Sequence, residues 1–148
     1  MRTEKTTLTN ICMITNKNKL LVEQRTNKNW AGITFPGGHV EPKESFVDSV
    51  AREVYEETGL TIYDPVLCGV KQFTTEDDGR YIVFLYKTSK FTGHIKSSSE
   101  GEVFWIDQED LFSTKLASGF KEMYEIFTTS SSELYYFEDN GNWQTQIK

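Results

Sequence analysis

The sequence predicts a mixed α/β domain, a sheet with helices packed on it. Three observations carry this. Short apolar, β-branched runs recur at 8–15, 19–24, 33–35, 81–88 and 102–106. A helical pattern fills 45–58. Phe120, Tyr124 and Phe127 repeat at i, i+4 and i+7 with Met123 beside them, the buried stripe of a second helix. At 148 residues the chain fits one domain over 1–148, large enough to bury a core without staples.

The elements follow from local chemistry. Asn16-Lys17-Asn18 separates the first two strands as a turn. Residues 33–35 end at Pro36-Gly37-Gly38. Ser45 followed by Asp48 fits a capping box at the start of the helix, and Gly59 fits the position just past its end. The stretch 61–74 is strand material interrupted by Asp64-Pro65 and Gly69. Residues 107–112 fit one helical turn or two. Past a polar pause at 128–132, the runs 133–138 and 142–147 flank Asp139-Asn140-Gly141, a hairpin signal.

Composition excludes several classes. The net charge is −6, against a general nucleic-acid binder, which is normally basic. No apolar stretch approaches the ~20 residues of a membrane span. Residues 1–10 lack the apolar segment of a signal peptide, so the expectation is a cytoplasmic protein with no membrane partner. Cys12 and Cys68 lie in apolar runs and read as small buried hydrophobes rather than a disulfide framework.

The chemistry is concentrated on the first helix. Glu53, Glu56 and Glu57 stand at i, i+3 and i+4, within an arc of about 100°. From 44 to 57 five acids (Glu44, Asp48, Glu53, Glu56, Glu57) face one base, Arg52, a local charge of −4. Like charges so placed repel unless a cation joins them. A hard divalent ion takes carboxylate and phosphate oxygens, and lets an acidic protein hold a polyphosphate. A solvated acidic face is the bland alternative for the triplet taken alone. Val47, Val50, Ala51 and Val54 form an adjacent apolar face that aims the acidic edge. The glycines ahead of the helix permit close backbone approach to a ligand.

Gly38, five residues, Glu44, seven residues, then Arg52-Glu53-Val54-Tyr55-Glu56-Glu57-Thr58-Gly59-Leu60 resembles the Nudix box in every defining position. Arg25 followed by Phe35-Pro36-Gly37-Gly38, and the later Glu100-x-Glu102-x-x-Trp105, resemble MutT-type members. The resemblance implies an α/β/α sandwich with a mixed central sheet and the box as loop–helix–loop. It implies Mg²⁺ or Mn²⁺ and hydrolysis of a nucleoside diphosphate linked to another group. Carried over, Glu53, Glu56, Glu57 and the Gly37 carbonyl would bind metal. Arg52 would orient the ligands, Gly38, Glu44 and Gly59 would support the box, and Arg25 would reach a phosphate. The proton acceptor stays open among Glu53, Glu57, Glu100 and Glu102.

His39 could face the phosphates, with a solvated loop histidine as its equal. His94, beside Gly93, reads as a turn residue. Trp30, Phe35, Phe73 and Tyr81 are candidates to stack on a base, against the commoner core role of aromatics. The resemblance points to a nucleoside triphosphate substrate cleaved to monophosphate and pyrophosphate, with 8-oxo-dGTP as one form. The residues 74–77 lack the proline of ADP-ribose hydrolases. Tyr81 comes late for a dinucleoside polyphosphate hydrolase. A non-catalytic nucleotide-sensing module usually loses box carboxylates, and none is lost here. The hairpin 134–147 could serve as a homodimer interface or a pocket lid.

Overall fold

A computed structural model describes residues 1–148. Its architecture is the expected α/β/α layering around a curled mixed sheet. Strands β1 (Thr6–Asn16), β2 (Lys19–Arg25), β3 (Gly32–Thr34) and β4 (Gly37–His39) lead into helix α1 (Phe46–Thr58). Strands β5 (Thr61–Tyr63), β6 (Val66–Thr74), β7 (Arg80–Thr88), β8 (Lys90–Thr92) and β9 (Gly101–Asp107) follow. A 3-10 helix (Gln108–Ser113), helix α2 (Phe120–Thr128) and strands β10 (Glu133–Asp139) and β11 (Asn142–Ile147) complete the chain.

The main sheet runs β11-β10-β6-β7-β1-β2-β3, with β4 added on β1 and β9 on β2. The β1–β7 and β6–β10 pairs are parallel and the others antiparallel. The strand period of two sorts β1 onto two faces. Ile11 and Met13 join the core under α2, while Cys12 and Ile14 join the core under α1. No helix is long and apolar enough to cross a membrane.

Helix α1 begins and ends where its sequence dictates. The Ser45 hydroxyl accepts from the Asp48 N–H at 3.0 Å. Gly59 closes the helix at φ 81°, a left-handed position that glycine adopts without steric cost. Val50 and Val54 are fully buried, and Phe46 stacks on Phe84 of β7 at 4.2 Å. Val47 is corrected: it is 46% exposed and lies on the solvent side of the helix, not on its packed face.

Further differences are non-local in origin. The stretch 61–74 divides into β5 and β6, which belong to different sheets, because β5 pairs with β8 rather than continuing into the main sheet. Neither β4 nor β8 carries an alternating pattern of its own; each is extended because a neighbouring strand pairs with it. The hairpin 133–147 is the edge of the main sheet, with Glu133 to Tyr136 in register with Val70 to Phe73. Asn140 and Gly141 both take positive φ, as a tight hairpin turn demands.

Candidate active site

Three segments meet at the acidic edge of α1: β4 with the Pro36-Gly37 approach, the helix itself, and the loop leading into β9. Strand β4 lies against β1 with Asn10 opposite Gly38 and Ile11 opposite Gly37. A Cβ on Gly37 would run into the Asn10 backbone carbonyl, so glycine is required there, and one on Gly38 would push the Glu53 carboxyl out of its place. Asn10 fixes the geometry. Its amide donates to the Ser49 hydroxyl at 2.9 Å and its side-chain carbonyl accepts from the Gly38 N–H at 3.2 Å. The Gly37 N–H donates to Glu57 Oε2 at 3.0 Å.

Arg52 organises the acidic face. Its Nε and Nη2 donate to the two Glu44 oxygens at 2.6 and 2.9 Å, a bidentate pair. Its Nη1 donates to Glu53 at 2.9 Å and to Glu56 at 3.2 Å. Its Nη2 also donates to the His39 carbonyl at 2.9 Å, tying β4 to the helix. The Arg52 guanidinium, helped by the Glu41 N–H, holds the Glu44 carboxyl down at about 2. Arg52 itself is raised by the same partners, Glu44 first.

Glu57 is the buried member of the triplet, 5% exposed. Burial, and next the negative charge of Glu23, push its carboxyl up to about 9. Burial likewise raises Glu23, with the nearby positive charge of Arg25 opposing the shift and the negative charge of Glu100 adding to it. Two facing carboxyls that are out of water must share a proton or hold a cation between them. The carboxylates gathered here are hard oxygen donors of the kind a divalent ion such as Mg²⁺ or Mn²⁺ takes.

A cleft of about 210 Å³ is lined by Glu53, Glu56, Glu57, Ser98, Ser99 and Glu100. It adjoins a cavity of about 950 Å³ that shares Glu53, Glu57 and Glu100 and runs under β6, β7 and the C-terminal hairpin. Arg25 lines that cavity, 5.2 Å over the Trp30 ring and 3.8 Å from Glu100. Trp30 is held by its indole N–H, which donates to the Ser118 carbonyl at 3.1 Å. Phe73 and Tyr81 also line the cavity, stacked on each other at 5.0 Å.

His39 borders the cavity with an exposed side chain, and only its carbonyl is engaged. Glu102 is exposed on β9 opposite Gln24 and lines neither space, which separates it from Glu100. Phe35 is corrected. It is 1% exposed and packed against Phe120 at 4.9 Å and Phe127 at 5.5 Å, so its ring braces the cavity wall and has no free face for a base. A separate acidic group, Asp107, Glu109 and Asp110, sits at the surface. There Asp107 is 3.0 Å from Lys19.

The Nudix domain model matches residues 5–127. The chain belongs to the Nudix family. It is 34% identical over 113 residues to the uncharacterized Nudix hydrolase YvcI of Bacillus subtilis, an alignment covering 73% of this chain and 70% of YvcI. The crystal structure of the mutator MutT protein from Bacillus halodurans is similar to it, with a TM-score of 0.77 at 24% identity. That match covers 95% of this chain and 97% of the other. The Nudix domain of Shewanella oneidensis NrtR, solved with ADP ribose, is similar at a TM-score of 0.67 and 18% identity, covering 86% and 88% of the two chains. Nudix hydrolases cleave a nucleoside diphosphate linked to a further moiety and use a divalent cation.

Several residues around the candidate site escaped the sequence reading. Glu23 sits two strands away from the box in the sheet. An ionisable residue directly after the fully buried Leu20-Leu21-Val22 was the available signal. Lys71 and Glu122 both reach the cavity, with burial lowering the lysine and Glu122 opposing that. Tyr136 and Trp143, stacked at 4.7 Å, come from the hairpin beyond the Nudix match, and nothing local ties that hairpin to the site.

Proposed function

We propose that this Nudix hydrolase cleaves a nucleoside triphosphate to the monophosphate and pyrophosphate, including oxidised forms such as 8-oxo-dGTP. One observation carries the reading: the carboxylate cleft opens directly into a cavity large enough for a nucleoside, walled at its far side by aromatic rings. Glu53, Glu56, Glu57 and the Gly37 carbonyl would hold Mg²⁺ or Mn²⁺. A bound divalent cation neutralises phosphate oxygens and makes water a better nucleophile at neutral pH.

The chain's own residues supply the rest. Arg52 fixes Glu44, Glu53 and Glu56 in one arrangement, so the ligands need little reorganisation. Arg25, with its Nε buried and unpartnered, has donor capacity left for a phosphate oxygen. Glu100 projects into both spaces and is the carboxylate we assign to accept the proton of the attacking water, with Glu53 and Glu57 as its competitors within the box. In-line attack at phosphorus needs positioning more than covalent chemistry, and these groups provide it. Gly38, Glu44 and Gly59 keep the backbone of the box in place. Lys71 and Glu122, a donor and an acceptor beside the rings, can address the polar edge of a base.

The test is hydrolysis of a panel of nucleotides with Mg²⁺ or Mn²⁺, products separated by anion exchange and ³¹P NMR. Pyrophosphate and monophosphate from triphosphates are the expected products. Turnover confined to ADP-ribose or dinucleoside polyphosphates would move the substrate class. Tight binding without any turnover would make this a nucleotide-sensing module.

A further inference from the structure

Glu23 is the most deeply buried acid in the molecule, with 0% of its surface exposed. Neither carboxyl oxygen receives an N–H or O–H from the protein. Its neighbours on β2 are Leu20, Leu21 and Val22, all buried, so packing alone would be satisfied by an apolar side chain there. The residue shares a face with Leu21, which packs under α1, and its carboxyl reaches Glu57. Arg25 does not answer it directly. The ion pair Arg25 makes is with Glu100, at 3.8 Å.

A carboxylate removed from water is retained only where something compensates its charge. Here the surroundings are more carboxylates: Glu57 at once, and Glu100 near enough to feel its charge. A hard cation placed between the helix and the sheet would satisfy both orphan oxygens and relieve the repulsion.

We propose that Glu23 is a further carboxylate ligand of the divalent cation, supplied by the sheet and facing the box glutamates. The cation is then held from two sides, by α1 and by β2, rather than resting on a helix face. This rests on the reading of the box as the cation site. A ligand carried on a central strand is fixed by its pairing with β9, so it sets where the cation sits relative to the phosphate chain.

The experiment measures Mn²⁺ binding to the nucleotide-free protein by calorimetry and by the EPR signal of bound Mn²⁺. Glu23→Gln keeps the shape and removes the charge. The expected result is Mn²⁺ binding weakened at least tenfold, with an altered EPR spectrum, while circular dichroism and the melting curve in EDTA show a folded protein. Binding unchanged in Glu23→Gln but weakened in Glu57→Gln would overturn the proposal and leave the box reading standing. A wild-type protein that binds no Mn²⁺ would overturn both. If Glu23→Gln fails to fold, wild-type crystals soaked in Mn²⁺ decide. An anomalous peak about 2.2 Å from a Glu23 oxygen supports the assignment. A peak on the helix glutamates with Glu23 beyond contact refutes it.

Discussion

Replacing Glu57 by glutamine separates the cost of the site from its use. In the metal-free protein the Glu57 carboxyl lies at about 9, against an ordinary 4.5, because it is buried and faces Glu23. The folded state therefore keeps a proton that the unfolded chain releases. Stability from this group is fully present below pH 4.5 and is lost as pH rises towards 9. Each unit is worth about 1.36 kcal/mol, so by pH 7 the loss reaches up to about 3 kcal/mol. For a chain of this size that corresponds to about 6–12 °C in melting temperature.

The substituted amide cannot ionise. Its carbonyl can still accept from the Gly37 N–H, as Glu57 does at 3.0 Å, and its NH₂ group can donate to the otherwise unpartnered Glu23. The expected outcome in EDTA is a variant that melts above wild type at pH 7 and equals it near pH 4.5. The pH-dependent gap is read by thermal melts across that range. Turnover with Mg²⁺ should fall by orders of magnitude in the same variant. A Glu57→Gln protein melting below wild type at pH 7, or showing the same pH slope, would refute the argument and make the side chain a structural prop.

Divalent ions should raise the melting temperature by mass action, about 2.7 kcal/mol at a hundred times Kd, and a melt indifferent to millimolar Mg²⁺ and Mn²⁺ would count against the cation site. Arg52→Ala frees Glu44, Glu53 and Glu56 together, and should weaken Mn²⁺ binding about 10–100-fold, measured by calorimetry. Arg52→Lys should fail to restore it, since an ammonium cannot make the bidentate contact to Glu44. Trp143 is 50% exposed at the cavity and stacks on Tyr136. If that wall holds the nucleoside, Trp143→Ala raises KM about 5–100-fold with kcat little changed, as expected for a lost stacking contact. Steady-state kinetics decide, and an unchanged KM would remove the hairpin from the binding site.

What the sequence alone dictated was local. The helical period alone places Glu53, Glu56 and Glu57 together, and Ser45 and Gly59 bound the helix because capping chemistry acts within one turn. Asn140-Gly141 announces its turn for the same reason. Tertiary structure decided whatever depends on partners far along the chain. Sequence spacing does not say that β4 lies so close to β1 that only glycine fits. Nor does it say that Phe35 is enclosed by Phe120 and Phe127, or that the hairpin edges the sheet beside β6. Glu23 is the sharpest case. On a strand the choice of face is local, but what waits on that face is set by the packing of α1, and only there does a lone acid among leucines become the neighbour of Glu57.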